Sequence, residues 1–250
     1  MNETGQIPRF DYLLLSDPEQ IHAVMPGSDP VAIYEIDMSV LLSLSSSYAS
    51  LLPESERAKA AGKFHEEDRL FTLCSYGIRR VLLSRYTGIS PEEISFGEDP
   101  YGKPFIRNRN SYLISFNVSH SKDRFLMGIC RNRDIGVDIQ QIDPGIPVMK
   151  IARRFFQPVD YGYLASLPGD ELISEFYRIW TMKEACIKAV GKGFSFPAEQ
   201  IPRMSSNPFI MDGRSWYWQL LPARDAYQAC VIVSDPGEIQ GPGDSPAIFL

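Results

Sequence analysis

Three charged residues of one predicted helix could carry out chemistry. Lys183, Glu184 and Lys188 lie in the segment WTMKEACIKAVGKG. Glu184 and Lys188 are four residues apart, so on a helix they share a face one turn apart, with Lys183 beside that face. Taken alone, the Glu184–Lys188 pair is more simply explained as a surface ion pair that contributes about 0.3–0.5 kcal/mol. The helix by itself does not distinguish these two explanations.

A carboxylate on a predicted strand offers a partner for Glu184. Asp138 lies in the strand motif GVDI, between Val137 and Ile139. Because side chains alternate along a strand, Asp138 points to the face opposite these apolar neighbours, where it needs solvent or a cation. Together with Glu184 it would offer oxygen ligands to a divalent ion such as Mg²⁺, which usually takes its remaining ligands from water and substrate phosphates. Two carboxylates and a lysine therefore indicate a metal-dependent enzyme acting on a phosphate-containing substrate.

A second polar cluster is formed by the motifs YGKP and FNVSHS. The first is typical of a turn that presents Lys103. The second places the short polar side chains of Asn117, Ser119 and Ser121 at a strand end and adds the imidazole of His120. A capped turn, with His120 satisfied locally, is the alternative explanation. The chain contains neither a Walker loop nor a G-x-G-x-x-G motif, so nucleotide binding of those kinds has no support.

Length and composition limit the function classes. The chain has 250 residues, of which 44% are hydrophobic and 22% charged, as in ordinary globular proteins. A formal net charge of −6 argues against a nucleic-acid binder. Four widely spaced cysteines without a C-x-x-C pair suit reduced, buried thiols. No apolar run approaches the ~20 residues of a membrane span and no signal peptide is recognisable, so we expect a cytoplasmic protein without membrane contact.

Hydrophobic periodicity predicts elements that would position these residues. Helices are predicted from Pro53 onwards and at Glu67–Tyr86, Ile151–Phe156 and Asp170–Val190. Strands are predicted at Tyr12–Leu15, Val31–Met38, Ile94–Phe96, Tyr101–Ile106, Ile114–Val118, Phe125–Cys130, Ile135–Ile142, Trp216–Leu220 and Ala229–Val233. Residues 1–30 and 235–250, rich in Pro, Gly and Asp, indicate an extended lead-in and a flexible tail.

The two halves of the chain resemble each other. FTLCSYGIRRV aligns with WTMKEACIKAV without a gap, and strands that end at Asp37 and Asp138 precede the two helices. At the positions of Lys183 and Glu184 the first half has Cys74 and Ser75. This pattern predicts a duplicated α+β fold, a pseudo-dimer of two α/β subdomains in which each has a helix packed on a small antiparallel sheet. We expect subdomains at 1–133 and 134–234 and a site in the cleft between them; two unrelated helix–strand stretches are the alternative.

The motifs YGKP, FNVSHS, GVDI and W-x-x-K-E-x-x-x-K, in this order, resemble those of the 4′-phosphopantetheinyl transferases. The similarity is to the monomeric, duplicated type, the surfactin-synthetase-activating family, and covers roughly residues 31–220. The resemblance implies transfer of the phosphopantetheine arm of coenzyme A to a serine of an apo acyl or peptidyl carrier protein, with release of 3′,5′-ADP. It also implies dependence on Mg²⁺, with Mn²⁺ as an alternative, and a monomer.

The resemblance also implies roles for individual residues. The catalytic residues would be Asp138, Glu184 and Lys188, with Glu184 as general base and Lys188 at the pyrophosphate. The metal ligands would be Asp138, Glu184 and Gln140. Coenzyme A would contact Lys59, Thr72, Lys103, Ser119, His120, Lys183 and Lys188.

One position departs from the family pattern. The strand motif often carries a second carboxylate two residues after the first, and this chain has Gln140 there. An amide can offer its carbonyl oxygen to Mg²⁺ but contributes no charge. This substitution leaves open a non-catalytic module that binds coenzyme A or carrier proteins. A Mg²⁺-dependent nuclease, which also uses Asp, Glu and Lys, is a second alternative. The nuclease fits less well, because such enzymes commonly place the carboxylate and lysine two residues apart on a strand.

Overall fold

The computed structural model describes residues 7–24, 31–109, 111, 113–193, 196, 201–203, 205–224 and 226–236. Within these ranges the strands are β1 Phe10–Leu15, β2 Val31–Asp37, β3 Phe96–Glu98, β4 Pro104–Ile106, β5 Ile114–Ser121, β6 Arg124–Arg131, β7 Ile135–Gln141, β8 Phe209–Met211, β9 Arg214–Leu221 and β10 Tyr227–Ser234. The α-helices are α1 Pro18–Ala23, α2 Met38–Ser43, α3 Ser45–Leu51, α4 Glu54–Ala61, α5 Glu66–Thr87, α6 Val148–Phe155, α7 Pro158–Ala165 and α8 Gly169–Val190. The fold is therefore a mixture of helices and small sheets, as predicted.

Eight of the described strands form two four-stranded sheets, with orders β1-β2-β6-β5 and β7-β10-β9-β8, and β3 and β4 pair in a separate two-stranded sheet. The second sheet is antiparallel throughout. The first is not, because β1 pairs with β2 in parallel, which corrects the prediction of two purely antiparallel sheets. Apolar residues of both sheets meet in one buried cluster that includes Ile33, Leu126, Val137 and Val231. The burial of this shared cluster holds the sheets together.

The two long helices, α5 and α8, each have 22 residues. Their ends agree with the predicted ones to within one residue. Both end at a glycine in the left-handed conformation, Gly88 with φ 71° and Gly191 with φ 77°, which a residue with a side chain would adopt at a cost. Helix α5 buries Ile78 and Leu82 in the first core, which includes side chains of the first sheet. Helix α8 buries Ala185 and Cys186 in a cluster with Cys230 and Ile232 of β10.

Helix α8 lies unusually close to β7, and a glycine permits this. A Cβ atom on Gly136 would lie 2.0 Å from the carbonyl oxygen of Ala185 and 2.4 Å from the backbone nitrogen of Ala189. Both are backbone atoms of the helix, which cannot yield as a flexible side chain can. The absence of a side chain at Gly136 therefore sets the distance between the strand that carries Asp138 and the helix that carries Glu184 and Lys188.

The lead-in differs most from its prediction. Part of residues 1–30 forms helix α1, where Pro18 follows an Asp17 cap whose side chain accepts a hydrogen bond from the Gln20 backbone. A 3₁₀ turn, Pro91–Glu93, precedes a strand that begins at Phe96, so the strand predicted from Ile94 is wrong. The short elements α2, α3, α7 and β8 were not predicted. Most of the predicted tail lies outside the described residues.

None of the described helices has the length and apolar character needed to cross a membrane.

Candidate active site

The cluster centres on Asp138, whose side chain is 1% exposed where β7 meets α8. Lys188 Nζ lies 2.6 Å from Asp138 Oδ1, and Ser119 Oγ of β5 donates to the same oxygen at 2.8 Å. Lys188 Nζ also donates to Ser119 Oγ at 2.9 Å. Three elements from separate parts of the chain therefore converge on one carboxylate oxygen.

The second oxygen of Asp138 has a donor of its own. Gln140 Nε2 donates to Asp138 Oδ2 at 2.9 Å. The two residues share a face of β7 because side chains alternate along a strand. Both oxygens of this buried carboxylate are therefore hydrogen-bonded, and the Lys188 ammonium group lies beside it.

Glu184 provides a second carboxylate beside this cluster. It forms no hydrogen bond or ion pair within the part of the chain that the structure describes. Burial raises the pKa of the Glu184 carboxyl, the negative charge of Asp138 raises it further, and the positive charge of Lys188 opposes both. An unpaired, half-buried carboxylate near a second one is a group that either a cation or a proton would stabilise.

His120 lies at the edge of the cluster. Its ring packs against Phe71 of α5, with ring centroids 4.3 Å apart. Burial lowers the pKa of the His120 imidazole, and the charge of Lys188 lowers it further while Asp138 opposes. The structure thus places Ser119 in a hydrogen bond with Lys188 and His120 within the influence of the Lys188 charge, while their contacts with coenzyme A stay a prediction.

Lys103 is occupied elsewhere. Its Nζ donates to the carbonyl of Ile135 at 3.1 Å and to that of Ala189 at 2.9 Å. The first begins β7, and the second is one of the carbonyls at the end of α8 that lack a partner within the helix. Burial lowers the pKa of this ammonium group. In this arrangement the Lys103 ammonium holds α8 against β7 with two of its three donors, and its expected contact with coenzyme A stays a prediction.

Lys183 lies away from the cluster, although it adjoins Glu184 in sequence. It is 5% exposed, and its Nζ pairs with Asp160 Oδ2 of α7 at 3.0 Å. The two line a small cavity of about 130 Å³. One residue along a helix turns the side chain by about 100°, so Lys183 and Glu184 point in different directions. The structure therefore does not support the expected phosphate contact of Lys183.

The other two predicted contacts of coenzyme A lie on α4 and α5. Lys59 is exposed, pairs with Glu98 at 3.8 Å and lines a groove of about 720 Å³ together with Arg79 and Arg107. The structure does not bring Lys59 to the Asp138 cluster. Thr72 is half-buried on α5, and its hydroxyl forms no hydrogen bond within the described ranges.

Three structural features in and around the site were not predicted from the sequence. The first is Gly136, for which a signal existed, since a glycine inside a strand often marks close backbone approach. The second is Asp160, which carries no motif. The third is the use of Asn117 and Ser121, whose side chains bond the backbone of β7. The sequence FNVSHS shows that these polar residues occur at every second position, but it does not show that they face β7.

The chemistry of the donors can be compared with that of metal sites. Among the described residues no group of three or more His, Cys, Asp or Glu side chains is placed to bind a metal ion. The cluster instead offers two carboxylates and the Gln140 amide. Mg²⁺ commonly binds through one or two carboxylates and takes other ligands from substrate phosphates, so this set fits Mg²⁺ when a pyrophosphate is present.

Comparisons with known proteins cover both halves of the chain. Residues 134–232 match the family model for the 4′-phosphopantetheinyl transferase superfamily, and residues 43–128 match that for the 4′-phosphopantetheinyl transferase N-terminal region. A putative 4′-phosphopantetheinyl transferase of Synechocystis sp. is 34% identical over 175 residues, 68% of this chain and 71% of the relative. The 4′-phosphopantetheinyl transferase HetI of Nostoc sp. is 34% identical over 170 residues, 67% of this chain and 71% of the relative. The 4′-phosphopantetheinyl transferase Sfp of Bacillus subtilis is 34% identical over 152 residues, 61% and 66% of the two chains.

Proposed function

This chain belongs to the 4′-phosphopantetheinyl transferase family, and we propose that it transfers the 4′-phosphopantetheine arm of coenzyme A to a serine of an apo acyl or peptidyl carrier protein at the Asp138 cluster. The observation that carries the proposal is the meeting of Asp138, Glu184 and Lys188 where α8 crosses β7. An anionic pair with an adjacent ammonium group suits a pyrophosphate held with a cation. A nuclease has no support in the matched families.

Asp138 and Glu184 are the proposed metal ligands, with the carbonyl oxygen of Gln140 as a third. Asp138 accepts three hydrogen bonds, one of them from the Lys188 ammonium group, which supports a position where a cation is favourable. When bound, Mg²⁺ would neutralise charge that develops on the pyrophosphate oxygens. Gln140 would have to turn its amide, because it now presents its nitrogen to Asp138.

The chain's own residues supply the proton transfers. The carrier's serine oxygen forms a bond to the β-phosphorus of coenzyme A while the bond to the 3′,5′-ADP oxygen breaks. Glu184 takes the serine proton, and its raised pKa makes it a stronger base than an ordinary carboxylate. Lys188 stabilises the negative charge on the leaving oxygen and can return a proton to it. Ser119 hydrogen-bonds both Lys188 and Asp138 and so holds the proposed acid beside the proposed metal ligand.

The proposed architecture is a monomeric pseudo-dimer with the cleft at this junction. Support comes from strand order: β2-β6-β5 in the first sheet and β7-β10-β9 in the second place the corresponding strands in the same sequence. The strand ending at Asp37 corresponds to the one carrying Asp138, and α5 corresponds to α8. We place the subdomain boundary between residues 133 and 134, at the turn between β6 and β7.

The nucleotide end of coenzyme A is proposed to lie on the side of the first subdomain. His120 and Ser119 are at the cluster, and the groove lined by Lys59 offers cationic side chains for a phosphate. The carrier would approach from α6, where Arg153 and Arg154 are exposed and could meet an acidic helix. Phe155, exposed on the same helix, adds an apolar contact.

Weighing a carrier protein tests the proposal. The enzyme is incubated with coenzyme A, Mg²⁺ and a panel of apo carriers, and we expect a carrier to gain the mass of one phosphopantetheine arm. Lys188→Met should lower the rate by about 100-fold or more, as losses of proton-transfer groups do. Lys192→Met, which removes a half-exposed lysine paired with Asp212, is the matched control and should retain the wild-type rate. Coenzyme A binding without modification of any carrier would instead indicate a non-catalytic module.

A further inference from the structure

The two sheets meet at an edge that ordinary strand pairing leaves open. Strand β7 pairs with β10 on one side only, and β5 pairs with β6 on one side only. An edge strand presents unpaired backbone N–H and C=O groups, and buried ones need partners. Val137 and Ile139 of β7 are both fully buried, so water cannot accept hydrogen bonds from their backbone N–H groups.

Side chains of β5 supply these partners in a regular ladder. Val137 N donates to Asn117 Oδ1 at 2.9 Å, and Gln141 N donates to Ser121 Oγ at 2.9 Å. Between them, Ile139 N donates to Ser119 Oγ at 3.3 Å. Donors and acceptors both occur at every second residue with a constant separation of 20, so β5 and β7 run in the same direction. Side-chain oxygens here take the place of a neighbouring strand's carbonyls.

The ladder determines where Asp138 stands. Asp138 lies between the two buried donors, and the middle acceptor, Ser119, also donates to its carboxylate. Because strand side chains alternate, a slip of β7 by one residue would turn Asp138 to the opposite face. Lys103 secures the carbonyl of Ile135 at the start of the same edge.

On the basis of the proposed function, we propose that Asn117 and Ser121 are positioning residues of the transfer reaction. Their side-chain oxygens hold the edge of β7 in register with β5, which places Asp138 opposite Lys188 and Glu184. Neither residue contacts the Asp138 carboxylate in the described structure. They act through the backbone of β7, and Ser119 is the member of the ladder that also belongs to the site.

The two outer positions should differ in importance. The amide of Val137 is fully buried, so loss of Asn117 leaves it without a partner. Gln141 is half-buried, so water can replace the Ser121 hydroxyl. Removal of Asn117 should therefore disturb Asp138 more than removal of Ser121.

The test compares Asn117→Ala, Asn117→Leu and Ser121→Ala with Ser115→Ala. Ser115 lies on the same face of β5, two residues before Asn117, and its hydroxyl forms no hydrogen bond within the described ranges, so it is the matched control. We expect kcat to fall by about 10-fold or more for both Asn117 variants, as losses of residues that orient a site do. In Ser121→Ala kcat should fall less, and in Ser115→Ala kcat should equal that of the wild type. KM for the carrier should stay within about twofold in all four, since a positioning role acts after binding.

Amide hydrogen exchange measures the ladder without any turnover. Exchange at Val137 should accelerate by about 10-fold or more in Asn117→Ala and Asn117→Leu, and remain unchanged in Ser115→Ala. The leucine restores side-chain volume but not the acceptor, so recovery of kcat in Asn117→Leu would show that packing mattered and would overturn the proposal. Wild-type kcat or unaltered exchange in Asn117→Ala would overturn it as well. If the wild-type enzyme modifies no carrier, the proposed function fails, while the exchange result still decides whether the ladder holds β7.

Discussion

Gly136→Ala should separate the two elements that form the site. The added Cβ would lie 2.0 Å from Ala185 O, whereas an ordinary contact begins at 3.4 Å, so helix and strand must part by about 1.4 Å. If that movement falls along the Lys188–Asp138 contact of 2.6 Å, the separation becomes about 4 Å, beyond a hydrogen bond. A misplacement of about 1 Å can reduce a rate by about 100-fold, so we expect kcat to fall by that order.

The assay measures phosphopantetheine transfer at saturating coenzyme A and carrier, with thermal unfolding recorded on the same samples. Forced separation in a packed core should reduce the free energy of unfolding by about 1–3 kcal/mol. For a protein of this size each kcal/mol lowers Tm by about 2–4 °C, so the variant remains folded at assay temperature if the wild type is of ordinary stability. A lower kcat in the folded variant would then result from the altered distance between α8 and β7 and not from unfolding.

Two further variants sharpen the result. Gly162→Ala adds the same methyl group on α7, where nothing in the described ranges lies within 4 Å, and should retain wild-type kcat. Ala189→Gly in the Gly136→Ala background should not rescue it, because the clash is with backbone atoms that remain. A Gly136→Ala enzyme with wild-type kcat, or one rescued by Ala189→Gly, would refute the argument from close approach.

Three other predictions address individual side chains. Gln140→Glu should lower the Mg²⁺ concentration for half-maximal activity several-fold, since a carboxylate adds negative charge to the proposed metal ligands. Gln141→Glu, on the opposite face of the strand, should leave this concentration unchanged. If the two variants need the same Mg²⁺ concentration, Gln140 is not a metal ligand. Lys183→Met should reduce the free energy of unfolding, measured by denaturant titration, by about 3–5 kcal/mol, because Asp160 is left buried and unpaired. Adding Asp160→Leu should recover most of this loss without changing KM for coenzyme A. A raised KM for coenzyme A would instead indicate that Lys183 contacts a phosphate. Arg153→Glu should raise KM for the carrier alone, and an equal rise for coenzyme A would contradict docking at α6.

The sequence alone determined the long elements and the order of the motifs. Helices α5 and α8 were predicted to within one residue because their apolar periodicity and terminal glycines are local properties. Asp138 and Gln140 were placed on one face of a strand for the same kind of reason, the two-residue repeat of side chains. The short helices α2 and α3 were not predicted, because each holds too few residues for a periodic pattern to stand out.

Only the tertiary structure decided which polar residues face the site. Lys183, Lys188 and Lys103 are all lysines of recognisable motifs, yet Lys188 bonds Asp138, Lys183 bonds Asp160 and Lys103 bonds two backbone carbonyls. The partners of Lys188 and Lys103 come from other regions of the chain, and the rotation of about 100° per residue along α8 points Lys183 away from the cluster. Polar contacts of this kind depend on how elements pack, which spacing along the chain does not encode. The motif of the helix segment therefore indicated the chemistry from the sequence. Which charged side chains lie at the reaction site and which stabilise the fold was decided by the packing of α8 against β7 and α7.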